Sequence, residues 1–184
     1  RALATPVEGE RVLDAQAVPE QAAPAAQAPS EEDLEAGLMA QEEIRLVSFR
    51  VADQLFAVPI MLVQEVLRAV PATKLPAAPP FLAGVTNLRG RVTPLVNLAR
   101  LLDIDSGDGG EDRFLIVCRL RDIQIGLMVR AIDTMHKPAQ SDMEWNIEAR
   151  VGVSADLMSG LLKTGDRLIK ILSVSRLFTK VLKS

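Results

Sequence analysis

The sequence predicts an all-β fold built from two similar strand-rich halves that follow an N-terminal tail. From Ile44 onward, short runs of Val, Leu, Ile and Phe alternate with turn-forming residues, which is typical of strands joined by tight turns. A block of nineteen residues also recurs later in the chain without a gap. Few segments have the period of a long helix, so we expect only short helices.

The tail comprises residues 1–43, which contain eleven Ala, four Pro and ten acidic residues against two basic ones. Such a composition offers too little apolar surface to form a core, so we predict a tail or linker. The last part of the tail differs, because Ser30 and the acidic residues after it resemble the N-terminus of a helix. A short helix over 31–42 is therefore an alternative that the sequence leaves open. Because the sequence begins at Arg1 and not at Met, a preceding segment is also left open.

The first two strands form a predicted hairpin. Alternate residues of 47–51 are apolar, so Val47, Phe49 and Val51 share one face, and a second apolar run resumes at Leu55 after the turn. Further along, Pro94 removes a backbone donor from its strand, which predicts an edge or a bulge there. Residues 97–102 and 173–181 are each predicted to close as a short helical turn.

The internal repeat is the most informative pattern. Residues 84–102 align with residues 160–178 at a separation of 76, so that Gly84, Arg91 and Arg100 fall on Gly160, Arg167 and Arg176. An upstream block, 49–58, aligns with 118–127 at a separation of 69. Because the blocks occur in the same order twice, we predict two alike halves, approximately 44–105 and 112–184, which can exchange strands. Closing each sheet into a barrel would remove its exposed edges.

Catalytic and metal sites are largely excluded by composition. A single His and a single Cys cannot provide a structural zinc site or an intrachain disulfide. No phosphate-binding loop, hydrolase elbow or metalloprotease motif is present. The acidic stretch 103–112 has Gly107 and Asp108 where a calcium loop needs a ligand and a glycine, so we predict a polar connector. We therefore expect no catalytic residue, no cofactor and no metal.

Membrane insertion and nucleic-acid binding are also disfavoured. The longest apolar run, 56–63, is far shorter than a membrane-spanning helix, so we expect a protein of the cytosol. Residues 44–184 carry a net charge of +5, but five Phe, one Trp and no Tyr provide few platforms for stacking bases. We expect no nucleic-acid partner.

A family resemblance rests on one long motif and several shorter ones. The motif is Gly-Val-Thr-Asn-Leu-Arg-Gly at 84–90, followed by Pro94. It is accompanied by Phe-Ala-Val-Pro-Ile at 56–60, by Val-Gln-Glu-Val at 63–66 and, more weakly, by Gly-Asp-Arg-Leu-Ile at 165–169. In this order, over residues 44–180, the motifs resemble the CheW family of bacterial chemotaxis coupling proteins.

The resemblance implies a fold of two five-stranded, SH3-like β-barrels that pack together. It also implies a non-enzymatic adaptor that couples methyl-accepting chemotaxis receptors, through their cytoplasmic tips, to the regulatory domain of the histidine kinase CheA. Such an adaptor works in the cytoplasm at membrane-associated, polar receptor arrays, and self-association in rings is left open. The alternative is a CheW-like domain of a CheV-type or polar-localisation protein that docks to the same arrays.

By motif position, the resemblance assigns receptor or kinase coupling to Glu65, Gly84, Asn87, Arg89 and Gly90. Each residue also has a simpler explanation, which we prefer for Asn87 and the glycines: positive φ angles at Gly84 and Gly90, and a turn capped by Asn87. Arg89 either forms an ion pair within the barrel, for instance with Glu65, or contacts a partner, and the sequence leaves both open. Which partner each residue touches is also open.

Overall fold

The computed structural model describes residues 37, 40, 43–107, 110–145 and 155–183. The predicted tail, and the helix considered over 31–42, lie almost wholly outside these residues. Within the described ranges from residue 43 onward, the chain forms eleven strands and two short α-helices. The strands are β1 (Leu46–Val51), β2 (Gln54–Pro59), β3 (Val63–Arg68), β4 (Leu82–Leu88), β5 (Arg91–Asn97), β6 (Phe114–Leu120), β7 (Ile123–Val129), β8 (Ala131–His136), β9 (Met143–Trp145), β10 (Met158–Thr164) and β11 (Arg167–Leu172), and the helices are α1 (Leu98–Leu101) and α2 (Val174–Leu182).

The strands form two sheets, and the all-β prediction is confirmed. One sheet has the order β3-β6-β7-β5-β4, and the other has the order β8-β1-β2-β11-β10-β9. The first five strands of the larger sheet follow the same plan as the smaller one. The sixth, β9, is a three-residue strand that pairs with β10 and extends the expected set of five.

Strands are exchanged between the two halves of the sequence. The hairpin β1–β2 comes from the first half but lies in the sheet of β8–β11, whereas β6–β7 comes from the second half and lies with β3–β5. Parallel pairing makes each junction, with β2 beside β11 and β7 beside β5. Each sheet is therefore completed by a hairpin from the other half.

The internal repeat is reproduced in detail by the backbone. Ladder pairing shifts register at Gly84 in β4 and at Gly160 in β10, which are 76 residues apart. The side chains of Asn97 and Ser173, again 76 apart, accept hydrogen bonds that cap the N-termini of α1 and α2. Both predicted helical turns are thus confirmed, and each follows the second strand of a repeated hairpin.

The predicted hairpin is confirmed as β1–β2, with a two-residue turn at Ala52 and Asp53. Pro94 does not lie in an edge strand, because β5 has neighbours on both sides. Its missing N–H is accommodated differently: the pairing of β5 with β7 begins only at Leu95.

The main apolar cluster draws side chains from both sheets and both helices, including Phe49, Phe56, Ile125 and Phe178. Cys118 is fully buried within it, and this burial raises the pKa of its thiol to about 12. It acts as a small apolar side chain. In the described part of the chain, no helix has the length and apolar character needed to cross a bilayer.

Candidate functional site

Glu65 lies on the inward-facing side of an edge strand. Along β3, Val63, Glu65 and Leu67 are half-buried, while the residues between them are exposed. The pleat therefore places the carboxylate on the apolar side, with only 15% of its side chain exposed. A carboxylate in such a position needs a partner that restores the hydrogen bonds lost with water.

The partner is provided by the turn between β4 and β5. Arg89 and Gly90 form a two-residue turn in which both residues have positive φ, 51° and 79°. Positive φ at both positions is the mark of a type I′ turn, which matches the twist of the adjoining strands. Asn87 accepts a hydrogen bond from the backbone N–H of Gly90 through its side-chain oxygen, at 2.9 Å. The predicted cap at Asn87 is therefore present.

Arg89 and Glu65 form a two-point ion pair. Arg89 Nε donates to Glu65 Oε1 at 3.1 Å, and Arg89 Nη2 donates to Glu65 Oε2 at 2.9 Å. The ion pair considered from the sequence is thus present. It links β3, at one side of the five-stranded sheet, to the hairpin that contains β4 at the other side. Because 74% of the Arg89 side chain is exposed, we expect it to contribute no more than about 1 kcal/mol to stability.

Gly84 has a positive φ, as expected, but it contacts a different part of the molecule. A Cβ at this position would collide with the backbone carbonyl oxygen of Thr73 and lie 2.8 Å from its carbonyl carbon. Thr73 and Val85 exchange two backbone hydrogen bonds of 2.8 and 2.9 Å across this contact. Gly84 therefore allows the loop that precedes β4 to lie against the strand.

The five predicted residues thus form two groups. Glu65, Asn87, Arg89 and Gly90 are joined by hydrogen bonds around one turn, whereas Gly84 secures the loop between β3 and β4. The turn also faces solvent, since Arg89 and Gly90 are both exposed. Only the first group forms a continuous surface that includes a charge.

Two exposed apolar side chains, on β3 and β5, were not identified from the sequence. Val66, which follows Glu65, is 43% exposed, and Val92, which pairs with Asn87 across the hairpin, is 72% exposed. The strand alternation at 63–66 contained a signal for Val66, since its neighbour Glu65 takes the opposite face. Exposed apolar side chains on the strands next to an exposed ion pair suit a protein interface.

A second, corresponding ion pair occurs in the six-stranded sheet. Arg167 Nη2, in the β10–β11 hairpin, donates to Asp133 Oδ2 on β8 at 2.9 Å. Ser48 Oγ donates to the same carboxylate at 2.8 Å and lies 2.8 Å from His136 Nε2. Partial burial raises the pKa of Asp133, but the hydrogen bonds from Ser48 and Arg167 and the charges of Arg167 and His136 outweigh it, so its pKa is lowered overall.

Two members of this polar cluster lie where their sequence context alone does not place them. His136 precedes Lys137 and Pro138, which are typical of a surface loop, but it is the half-buried last residue of β8. Ser48 lies between the apolar residues of β1, on the face that alternation predicts to be polar, yet it is fully buried and bonded to Asp133 and Thr134 of β8. The buried hydroxyl of Ser48 thus links β1 to β8 through the Asp133 carboxylate. Across the described ranges, no group of three or more His, Cys, Asp or Glu side chains is arranged to hold a metal ion.

Comparisons with known proteins agree with this geometry. Residues 45–182 match the family model of the CheW-like domain. The chain is 31% identical to a probable chemotaxis protein CheW of Rhizobium etli, over 76% of this chain and 90% of that protein. It is 29% identical to the chemotaxis protein CheW of Thermotoga maritima, over 77% and 92% of the two chains.

A solved structure of a CheW protein also resembles this chain. The scaffolding protein TtCheW of Thermoanaerobacter tengcongensis superposes with a TM-score of 0.65 at 28% identity, over 71% of this chain and 88% of that one. The two sheets, their repeated plan and the matched residues together show that the chain belongs to the family of proteins with a CheW-like domain.

Proposed function

We propose that this protein is a non-enzymatic adaptor that couples methyl-accepting chemotaxis receptors to the histidine kinase CheA. The observation that carries the proposal is the Arg89–Glu65 ion pair, held on a tight, exposed turn, with Val66 and Val92 exposed on the strands β3 and β5. The pair uses two of the five N–H donors of the guanidinium, and three remain for a partner. Carbonyls and carboxylates at the end of a receptor helix, or on the kinase regulatory domain, are suitable acceptors.

Within this proposal the five coupling residues act in two ways. Arg89 makes the contact itself, while Glu65, Asn87 and Gly90 hold it in position through their hydrogen bonds. Gly84 contributes indirectly, by keeping the neighbouring loop against β4. The protein would act in the cytoplasm at membrane-associated receptor arrays.

Coupling of this kind requires reversible contacts. We expect separate patches for receptor and kinase, each burying no more than about 800 Å² on the adaptor. Repetition of weak contacts in an array then raises the effective concentration of each partner. An exposed ion pair with a few apolar neighbours has the size and chemistry for one such weak contact.

The test is the charge reversal Arg89→Glu, which also replaces the ion pair by two neighbouring carboxylates. Because Arg89 is exposed and its ion pair contributes little, we expect an unchanged circular dichroism spectrum. Binding to CheA regulatory domain and receptor tips, measured by titration calorimetry, should weaken roughly tenfold or more for at least one partner. Arg50→Glu, which reverses another exposed cation, should leave both affinities unchanged.

A charge-swapped variant separates the two roles of Arg89. Glu65→Arg combined with Arg89→Glu keeps an ion pair in place but reverses the charge presented to a partner. If Arg89 contacts the partner directly, binding stays weak in the double variant; recovery would mean that the pair only holds the turn. Full-strength binding by Arg89→Glu itself would contradict the proposed site.

A further inference from the structure

A cleft of about 410 Å³ lies between the loop 69–81, the start of β4 and the start of α1. It is distinct from the Arg89–Glu65 site, since neither of these residues lines it. Its apolar wall consists of Leu75, Ala78, Pro79, Pro80, Leu82 and Ala83.

The shape of this cleft is set by the backbone of the folded protein. Thr73 is held to Val85 by two hydrogen bonds, and Leu82 N–H donates to the carbonyl of Pro79 at 3.0 Å. Asn97 N–H donates to the carbonyl of Phe81 at 2.8 Å, which attaches the other end of the loop to β5. Prolines within the loop restrict φ further. A ligand would therefore meet a preformed surface and lose less conformational entropy on binding.

The charged side chains that line the cleft are all basic among the described residues. Lys74 and Arg100 line it together with the apolar wall, and none of the described residues that line it is acidic. Neither cation forms an ion pair with any residue in the described ranges. Arg100 Nη1 donates to the carbonyl of Pro80 at 3.3 Å, which holds the guanidinium beside the apolar wall.

Leu75 adds a hydrophobic contact to this arrangement. It is 43% exposed, although its neighbours in the loop offer apolar surface on which another side chain would pack. A cleft that combines an exposed Leu with two cations is matched by a ligand with the complementary chemistry, namely an apolar side chain with carboxylates near it.

We propose that this cleft binds an acidic segment of a partner protein, with an apolar side chain of that segment against Leu75 and its carboxylates paired with Lys74 and Arg100. The carboxylates complement the two cations, and the apolar side chain covers the exposed wall. This contact uses none of the residues of the Arg89–Glu65 ion pair.

The test uses a labelled peptide in which a leucine lies between two glutamates, with fluorescence anisotropy on the full chain. A matched peptide has glutamines in place of the glutamates. We expect the acidic peptide to bind, and the glutamine peptide to bind roughly tenfold more weakly or not at all. Lys74→Glu and Leu75→Ser should each raise the Kd of the acidic peptide by about tenfold, whereas Arg50→Glu should not. Higher salt should weaken binding to the unaltered chain.

Three results would overturn the proposal. The first is equal binding of the two peptides, which would remove the role of charge. The second is an unchanged Kd for both Lys74→Glu and Leu75→Ser in variants whose circular dichroism spectra are native. The third is binding that occurs only after Glu31, Glu32 and Asp33 are replaced by Gln, because the occupant would then be this chain's own acidic segment and not a partner.

Discussion

Gly84 and Gly90 both have positive φ, but the space around them differs. At Gly84 a Cβ would meet the backbone of Thr73, whereas at Gly90 no atom lies within 4 Å of the added carbon. The first glycine is therefore required by a neighbouring segment of backbone, and the second only by its own φ angle.

This difference predicts unequal costs for the same substitution. Gly90→Ala should lower the free energy of unfolding by about 1 kcal/mol, the usual cost of a left-handed non-glycine residue. Gly84→Ala should cost more, about 2 kcal/mol or above, because the loop around Thr73 must also move. Urea unfolding of both variants measures the difference, and equal midpoints would contradict the role given to Thr73.

The lowered pKa of Asp133 predicts how the stability of the protein changes as the pH falls. Its folded-state pKa is lowered, so its contribution to stability is present above the unfolded pKa of about 4 and is lost as pH falls through the folded value. Asp133→Asn should lower stability at pH 7 by about 1 to 3 kcal/mol, because two hydrogen bonds to a charged group are weakened. The variant should also lose less stability than the unaltered protein as the pH falls from about 5 to about 3, since its side chain at this position does not titrate.

The matched control for this prediction is Asp122→Asn, since the Asp122 side chain is 97% exposed and its ion pair with Arg119 is long, at 3.9 Å. This control should change neither the stability at pH 7 nor the acid response. Parallel acid profiles for Asp133→Asn and the unaltered protein would show that another carboxylate controls acid unfolding.

Among elements, the two helices differ in how much they depend on their caps. Ser173 begins the nine-residue α2, five of whose residues are buried, while Asn97 begins α1, which has four residues. Both caps accept a backbone hydrogen bond at the same position of the helix. Loss of the N-cap should therefore disturb more buried side chains when α2 frays than when α1 frays.

We predict that Ser173→Ala lowers the melting temperature more than Asn97→Ala does. Loss of an N-cap costs about 1 kcal/mol, and the loss at Ser173 adds a broken contact with Ser175 in the buried interior. Differential scanning calorimetry measures both shifts. A larger effect at Asn97 would place the weaker point of the fold at α1.

How well the elements could be predicted depends on whether their causes are local. The β1–β2 hairpin and the helical turns after Asn97 and Ser173 were predictable, because alternation and capping residues act over a few positions. The ion pair with Glu65 was one of two roles that the sequence left open for Arg89. The left-handed conformation of Arg89 was not, since an arginine carries no propensity for positive φ.

The polar cluster around Ser48 escaped prediction for a different reason. Its members, Ser48, Asp133, His136 and Arg167, come from separate parts of the chain and meet only through the pairing of β1 with β8 and the fold of the β10–β11 hairpin. Alternation alone assigns Ser48 to an exposed face. Only the long-range strand order shows that this face is covered.

For the whole molecule, strand exchange predicts that the halves depend on each other. Residues 43–107 alone would lack the β6–β7 hairpin that lies between β3 and β5, and residues 110–184 would lack β1–β2. Each fragment would therefore have unpaired strands in the middle of its sheet.

We expect neither fragment to fold by itself, and an equimolar mixture to recover the circular dichroism spectrum of the intact chain. Size-exclusion chromatography should then show a single species with the mass of one of each fragment. A cooperative thermal transition in either isolated fragment would contradict the interdependence of the sheets.

The exchange of hairpins also bears on how such a chain arose. Two copies of a single half would each place their first hairpin into the other, which is the arrangement of a domain-swapped homodimer. Joining the copies end to end would make that swap intramolecular and let the two sheets carry different ion pairs, such as Glu65 with Arg89 and Asp133 with Arg167. Loss of either half from the gene would leave both sheets incomplete. The two halves would therefore have to be inherited together.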